Sequence, residues 1–384
     1  MHLYLHIPFC KQACHYCDFH FSTNLKSKAD LVAAICRELE LQKDYLPTRE
    51  LETIYFGGGT PSLLTEAELG QIFDTIHQFY RVHPSAEITL EANPDDLTAE
   101  KLISLKPYIN RLSIGLQSFH EPYLRFMNRA HNAAESEASV KRAQDHGFDN
   151  LTIDLMYGMS EKMLGMEESE TASEDRVWQK DLEMAVALNT PHISAYNLTI
   201  EPKTVLGNWL KKGKIKSVNE ELSARHFEQM IMYLNASRYE QYEISNFARD
   251  GHYARHNSSY WKRRPYLGVG PSAHSFNGPS RQYNIANNAL YIQSLTEERL
   301  PFEMEILTSY DQVNDYLLTS LRTIWGCDLR IIQELAGIDL RETHKKYLNA
   351  FMDYGWVFIE DNVLFLTYNG KLFADRIASD LFVV

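Results

Sequence analysis

The stretch Leu3-Tyr4-Leu5-His6-Ile7-Pro8-Phe9-Cys10-Lys11-Gln12-Ala13-Cys14-His15-Tyr16-Cys17-Asp18-Phe19 runs from a short apolar, β-rich segment straight into three cysteines spaced C-x3-C-x2-C. One loop thus supplies three thiolates and no obvious fourth. A cubane of four irons takes one protein ligand per iron, so three thiolates leave one iron open to an exchangeable guest. Other readings stand beside this one. Zinc takes four N or S ligands, and His6, His15 or His20 lies near enough in sequence to complete a Cys3His site. Structural thiols or a disulfide pair are the remaining alternatives. Five cysteines in 384 residues, an odd number with no signal peptide ahead of them, argue against an oxidised secreted framework. Cys36 and Cys327 lie far from the trio and read as small buried apolar residues.

Working outward, the first 200 residues alternate β-rich runs with helical patterns. Strands are expected at Leu3–Ile7, Thr53–Gly57, Glu87–Ala92, Arg111–Gln117, Asn150–Tyr157 and His192–Thr199. Helices are expected at Lys28–Tyr45, Thr65–Tyr80, Thr98–Lys106, Ala133–His146 and Arg176–Leu188. Such alternation indicates βαβ units on a parallel sheet, and the strands' nearly continuous apolar character suggests burial on both faces. Six units point to an open or partial (β/α)6 barrel, whose chemistry collects in loops after the strands' C-terminal ends. The cysteine loop follows the first strand directly.

Residues 1–235 therefore read as the partial barrel and 236–305 as an aromatic-rich connecting segment beginning after a helix at Glu220–Ala236. Residues 306–384 read as a C-terminal α+β unit. That unit has helices at Asp311–Ile324, Leu329–Ala336 and Arg341–Tyr354. Strands Trp356–Glu360 and Val363–Leu366 meet at Asp361-Asn362, and a helix Tyr368–Leu381 ends the chain. The pattern is winged-helix-like, but Lys345-Lys346 is its only basic pair, so a lid or protein contact is favoured over DNA. Ser160–Asp175 carries six acidic residues (Glu161, Glu167, Glu168, Glu170, Glu174, Asp175) against one lysine and reads as a solvated loop without assigned function.

Hydrophobic content of 44% and charged content of 23% fit a globular chain with a full core. A net charge of -13 opposes broad nucleic-acid contact. No apolar run approaches the ~20 residues of a membrane span. A cytoplasmic, reducing location is expected.

Four further features carry chemistry. Gly57-Gly58-Gly59-Thr60-Pro61-Ser62 follows the second strand and lets backbone approach a ligand; it matches neither a dinucleotide nor a Walker pattern. Glu91, Gln117 and Asp154 end successive strands, as the wall of a lined cavity would. Arg129, in M-N-R-A-H, suits a bidentate carboxylate contact, although a surface arginine fits equally. In His256-Asn257-Ser258-Ser259-Tyr260-Trp261, a helix places His256 and Tyr260 on one face. Imidazole can ligate heme iron and the aromatics can stack on a porphyrin, while ordinary core packing is the plainer account.

Together these residues resemble the radical S-adenosylmethionine superfamily, within it the coproporphyrinogen III oxidase-like group and its heme-chaperone branch. The resemblance covers nearly the whole chain. It implies a partial radical-SAM barrel and a 4Fe–4S cluster on Cys10, Cys14 and Cys17. S-adenosylmethionine would lie at Tyr4, Tyr16, Gly58, Gly59, Thr60, Glu91, Gln117, Arg129 and Asp154, its methionyl amine and carboxylate chelating the fourth iron. One electron then breaks the sulfonium C–S bond and yields a 5′-deoxyadenosyl radical. In the related oxidase that radical starts decarboxylation of porphyrinogen propionates.

Two departures set this chain apart from the oxidase: it starts almost at its first strand, without the oxidase's N-terminal extension, and Phe19 stands where the oxidase has a further cysteine. The chaperone branch is therefore the expected function, with oxygen-independent coproporphyrinogen III oxidase as the alternative and no side chain singled out as catalytic. That branch implies heme near His256, Asn257, Tyr260 and Trp261, an electron donor for the cluster, and delivery of heme to hemoproteins such as respiratory enzymes.

Overall fold

A computed structural model describes residues 1–164 and 174–384. Six parallel strands lie side by side in chain order: β1 (His2–Ile7), β2 (Glu50–Gly58), β3 (Arg81–Ala92), β4 (Arg111–Gln117), β5 (Leu151–Tyr157) and β6 (His192–Asn197). Each connection carries helix, as expected for parallel neighbours. The helices start where the sequence supplies oxygen caps. Thr65 and Asn132 each close a capping box, with Glu68 and Glu135 respectively.

The strands differ in one respect from the expectation of two apolar faces: they alternate. Leu3, Leu5 and Ile7, Ile54 and Phe56, Leu112, Ile114 and Leu116, and Leu151, Ile153 and Leu155 are fully buried in the main core. They pack with helical residues such as Leu31, Leu69 and Leu182. Each such side chain contributes about 1.5–3 kcal/mol relative to exposure. The residues between them are largely polar: Thr53 and Tyr55, Arg111 and Ser113, Thr152 and Asp154, His192 and Ser194. Period-2 patterning puts these on the opposite face. One face thus holds the fold together and the other encloses a polar interior.

Residues 240–306 extend this sheet at both edges. β7 (Glu240–Glu243) and β8 (Asn246–Ala248) add antiparallel beyond β6. β9 (Tyr266–Val269) runs parallel to β1, followed outward by β10 (His274–Phe276), β11 (Ser280–Asn284) and β12 (Phe302–Ile306), which makes twelve strands among the described residues.

The last part has its own hydrophobic cluster, including Val313, Leu317, Ile332, Phe351, Leu364 and Ile377. Its small sheet is β13 (Cys327–Asp328), β14 (Val357–Glu360) and β15 (Val363–Leu366). Asp361 and Asn362 both have positive φ, 47° and 68°, the backbone of a two-residue hairpin turn. Two helices are more broken than periodicity suggested. The one expected over Arg341–Tyr354 divides into Leu340–Thr343 and Lys345–Asp353. The terminal one begins as a 3-10 turn, Gly370–Phe373, before Ala374–Asp380.

The acidic stretch is also less uniform than a solvated loop. Glu161 is buried, and Glu174 and Asp175 open the helix Glu174–Ala187. Glu167, Glu168 and Glu170 lie outside the described residues.

Candidate functional site

The cysteine loop is clamped at its base and along its side. Ser22 N–H donates to the Pro8 carbonyl (2.8 Å) and Cys10 N–H to the Ser22 carbonyl (3.1 Å). Asn128, at φ 57°, donates through Nδ2 to the Ala13 carbonyl (2.7 Å) and accepts from Gln12 Nε2 (2.8 Å). Cys10, Cys14 and Cys17 are all free thiols, half-buried, and face one cavity of about 440 Å³. Burial pushes the Cys17 thiol up to about 11 and raises that of Cys10, where a bond from Thr60 works the other way.

A chain of hydrogen bonds joins two of the sulfurs. Thr60 Oγ1 donates to Cys10 Sγ (3.4 Å), Asn93 Nδ2 to Thr60 Oγ1 (3.1 Å), Arg129 Nη2 to Asn93 Oδ1, and Arg129 Nη1 to Cys14 Sγ (3.4 Å). Arg129 is thus no surface arginine. Burial works against its charge, but the Tyr16 hydroxyl and Cys14 thiol beside it hold its pKa above the ordinary value.

The glycine run lets β2 pass under this loop. Gly58 has φ +106°, and a Cβ there would sit 2.6 Å from the His6 ring. A Cβ on Gly59 would meet the Phe9 carbonyl at 2.7 Å. Backbone bonds then tie Gly59 N–H to the Ile7 carbonyl (2.9 Å) and Thr60 N–H to that of Phe9 (2.6 Å).

Glu91 accepts from Tyr55 Oη (2.8 Å) and from Gly58 N–H (3.1 Å). Burial pushes its carboxyl up to about 7, with the charge of Asp154 adding to the rise. Burial likewise raises Asp154 to about 6, opposed by hydrogen bonds from Ser194 and Ser113 and by Arg111. Gln117 sits at φ 70° beside a register shift in β4; such bulges re-aim side chains at sheet ends, and Gln117 lines the cavity.

Of the residues singled out in the sequence, the cavity brings together Cys10, Cys14, Cys17, Tyr16, Gly58, Gly59, Thr60, Glu91, Gln117, Arg129, Asp154 and Asn257. Tyr4 is not among its lining residues. Its ring stacks at 6.1 Å on that of Tyr55, which does line the cavity, and its hydroxyl meets His6 Nδ1 at 3.1 Å. The heme-ligand expectation for His256 meets a contrary geometry. The side chain is 0% exposed. Nδ1 is bonded to Thr53 Oγ1 (2.6 Å) and Nε2 to Tyr260 Oη (2.7 Å), so neither ring nitrogen is left for iron. The Arg322 guanidinium lies over the Trp261 ring, 5.6 Å from its centroid, and Trp261 is not among the residues lining the cavity.

Sequence reasoning missed Tyr55, Arg111, Ser113, Thr152 and Ser194, which line the cavity from within the strands, and Asn93. The signal was present as polar residues at every second strand position. It was hidden by attention to the strand ends.

Among the described residues no three His, Cys, Asp or Glu side chains converge as a single-ion site. Tetrahedral zinc with bonds of ~2.3 Å needs its sulfurs drawn to one point, whereas a cluster gives each sulfur its own iron. His6 has both ring nitrogens hydrogen bonded, and His15 turns its ring against Trp209 at 4.6 Å.

A model of the Radical SAM superfamily matches residues 4–168. Among solved structures, coproporphyrinogen III oxidase (HemN) from Escherichia coli, described as a radical SAM enzyme, superposes with a TM-score of 0.82 at 22% identity. That match covers 100% of this chain and 90% of the other and establishes the fold. The class is therefore the radical SAM partial barrel. Among curated relatives, the heme chaperone HemW of Bacillus subtilis (strain 168) is 32% identical over 382 residues, 97% of each chain. That of Escherichia coli (strain K12) is 37% identical over 71% of this chain and 69% of its own. The chain belongs to the HemW family.

Proposed function

We propose that this protein is a heme chaperone that carries a 4Fe–4S cluster on Cys10, Cys14 and Cys17 with S-adenosylmethionine beside it, binds heme, and delivers heme to hemoproteins such as respiratory enzymes. The observation that carries the cofactor reading is the convergence of three thiols with Glu91, Gln117, Arg129 and Asp154, from separate strands and loops, on one cavity. The fit is supported by orphaned donors. Arg111 and Arg129 line the cavity, and each has a buried Nε without a hydrogen-bond partner among the described residues, that of Arg111 lying 3.9 Å from Glu87, as a wall built for a polar guest would leave them.

When bound, such a cluster and its sulfonium partner supply one-electron C–S cleavage. The chain's own part is to hold and orient. Thr60 and Arg129 aim hydrogen bonds at two of the three sulfurs, which steadies thiolate charge. Arg129 offers a guanidinium to a carboxylate. Glu91 and Asp154, kept in place by Tyr55, Gly58 and Ser113, offer oxygens to hydroxyl or ammonium groups.

The heme part rests on the relatives' name. Titration of hemin into the purified protein should give a Soret band, and the band should persist in His256→Ala, because both ring nitrogens of His256 are already used. A folded His256→Ala protein without the band would restore His256 as the iron ligand. The oxidase reading rests on the shared fold and predicts protoporphyrinogen formation from coproporphyrinogen III in the anaerobic, reduced, S-adenosylmethionine-supplied protein; the chaperone reading predicts none. No helix among the described residues is long and apolar enough to cross a membrane. We place the protein in the cytoplasm on the free thiols it needs, supplied by an electron donor and not engaged with nucleic acid.

A further inference from the structure

The H-N-S-S-Y-W segment forms the short helix Arg255–Trp261, and its contacts fix where it sits. Glu87 Oε2 accepts from Arg255 N–H (3.0 Å) and Oε1 from His256 N–H (2.9 Å), while His256 reaches Thr53, which also bonds His2 Nδ1 at 2.9 Å. His2, Thr53 and Glu87 are neighbours in register across β1, β2 and β3. On β2, Thr53 lies five residues before Gly58, about 16 Å at the usual strand rise. The helix therefore closes the N-terminal end of the strands, opposite the cysteine loop. Its histidine is a bolt in the floor.

Asn257 is the member of that helix that lines the cavity. Beside it, His256 is spent on the protein as above and Ser259 bonds the His256 carbonyl (2.6 Å), while the Ser258 hydroxyl is buried without a hydrogen-bond partner among the described residues and does not line the cavity. The Asn257 amide has no hydrogen-bond partner among the described residues. Arg111, 2% exposed, also lines this cavity; it bonds Thr152 through Nη2, and its Nε is unpartnered, with the nearest Glu87 oxygen at 3.9 Å. A protein-free amide and the Arg111 side chain share one polar wall, and behind that wall the guanidinium keeps one nitrogen without a hydrogen bond. They are what a ligand's polar group would complete.

We propose that Asn257, and not His256, is the ligand-contacting residue of this motif: its amide hydrogen-bonds a donor–acceptor group of the S-adenosylmethionine that fills the cavity, with Arg111 alongside. This rests on the cofactor reading above and adds to it a contact at the floor. The helix is held by Glu87 and Thr53 so that this amide is presented to the cavity. Asn257 is thereby a specificity-determining residue at the far end of the site from the open iron.

The test compares wild type, Asn257→Ala, Asn257→Asp and His256→Gln in two measurements. The first is S-adenosylmethionine affinity of anaerobically cluster-loaded protein, by calorimetry. The second is the thermal midpoint of the same proteins without cluster. Asn257→Ala should keep the wild-type midpoint and bind about tenfold more weakly, the effect of one lost hydrogen bond. Asn257→Asp, which keeps the shape but loses the donor, should also bind more weakly. His256→Gln should lower the midpoint. Wild-type affinity in both Asn257 variants overturns the proposal, as does a midpoint in Asn257→Ala lowered as far as in His256→Gln, which would make the asparagine structural. Failure of the wild type itself to bind S-adenosylmethionine overturns the cofactor reading instead, and with it this contact.

Discussion

The two ends of the six-stranded sheet each carry a chain of polar side chains, and the two chains do opposite things. At the C-terminal end, Cys10, Cys14, Cys17, Thr60, Asn93 and Arg129 form a chain of polar contacts that opens on a cavity. At the N-terminal end, His2, Thr53, Glu87, His256 and Tyr260 form a comparable chain that closes on itself. Histidine and aromatic residues in a motif suggested a heme site, yet the hydrogen bonds of His256 and Tyr260 are already satisfied within the protein. Thiols and a guanidinium with unfilled capacity sit at the other end. What separates a site from a brace here is residual bonding capacity. Residue type alone does not decide it.

The largest expected effect tests the open end. Replacing Cys10, Cys14 or Cys17 by Ala should abolish stable iron and sulfide uptake in anaerobic reconstitution, since two thiolates cannot hold the cluster. The same assay on His256→Ala should give full uptake. Equal loss in both would break the comparison.

Next in size are substitutions that disturb packing at each end. Gly58→Ala combines a left-handed backbone with a Cβ 2.6 Å from the His6 ring, and His256→Ala leaves Thr53 and Tyr260 without their buried partner. Each should cost about 2–4 kcal/mol in urea unfolding. A cost below about 1 kcal/mol for His256→Ala would mean that the floor is not braced as described.

A subtler contrast lies in pH. Glu91 and Asp154 have carboxyls raised to about 7 and about 6 by burial. A raised acid binds its proton more tightly in the folded chain, so its contribution is complete below the unfolded pKa near 4 and is lost as pH rises through 6 and 7. His2 is lowered to about 4 by burial, with the N-terminal ammonium adding to the effect. A lowered base favours the neutral folded form, so its contribution is complete above pH ~6.5 and is lost as pH falls towards 4. In unfolding measurements on the cluster-free protein, Glu91→Gln should flatten the stability loss between pH 5 and 7. His2→Gln should flatten the loss between pH 6.5 and 4. Interchanged effects would contradict the assignment of the two ends.

The smallest effect expected is in the sulfur hydrogen bonds. Thr60→Val removes the hydroxyl that donates to Cys10 Sγ. Fewer hydrogen bonds to sulfur disfavour the more negative, reduced cluster, so the midpoint potential should become more negative. Redox titration checks the sign; a positive shift would refute the donor role.

Much of this was legible in the chain. The cysteine spacing, the following glycines and the βα alternation fixed the order β1 to β6, and β4 spans Arg111–Gln117 as periodicity indicates. Glu91 and Gln117 reach the cavity from the ends of β3 and β4 as expected, whereas Asp154 reaches it from the middle of β5 and Arg129 from a loop between two helices. Two things were not legible. The floor helix is placed by long-range bonds, such as Glu87 to His256 across 169 residues, which no local pattern encodes. The polar interior face was written as alternation inside strands, but Leu, Ile and Val between the polar residues made those runs look apolar throughout.

The proposed cofactor site depends on one iron that three thiolates would leave open. The most direct test is electron paramagnetic resonance of the anaerobically reconstituted, reduced protein before and after S-adenosylmethionine, with metal and sulfide analysis of the same sample. It should contain about four irons and four sulfides per chain, with a cluster signal that changes when S-adenosylmethionine is added. Bound zinc without sulfide, or a cluster signal indifferent to S-adenosylmethionine, would contradict it.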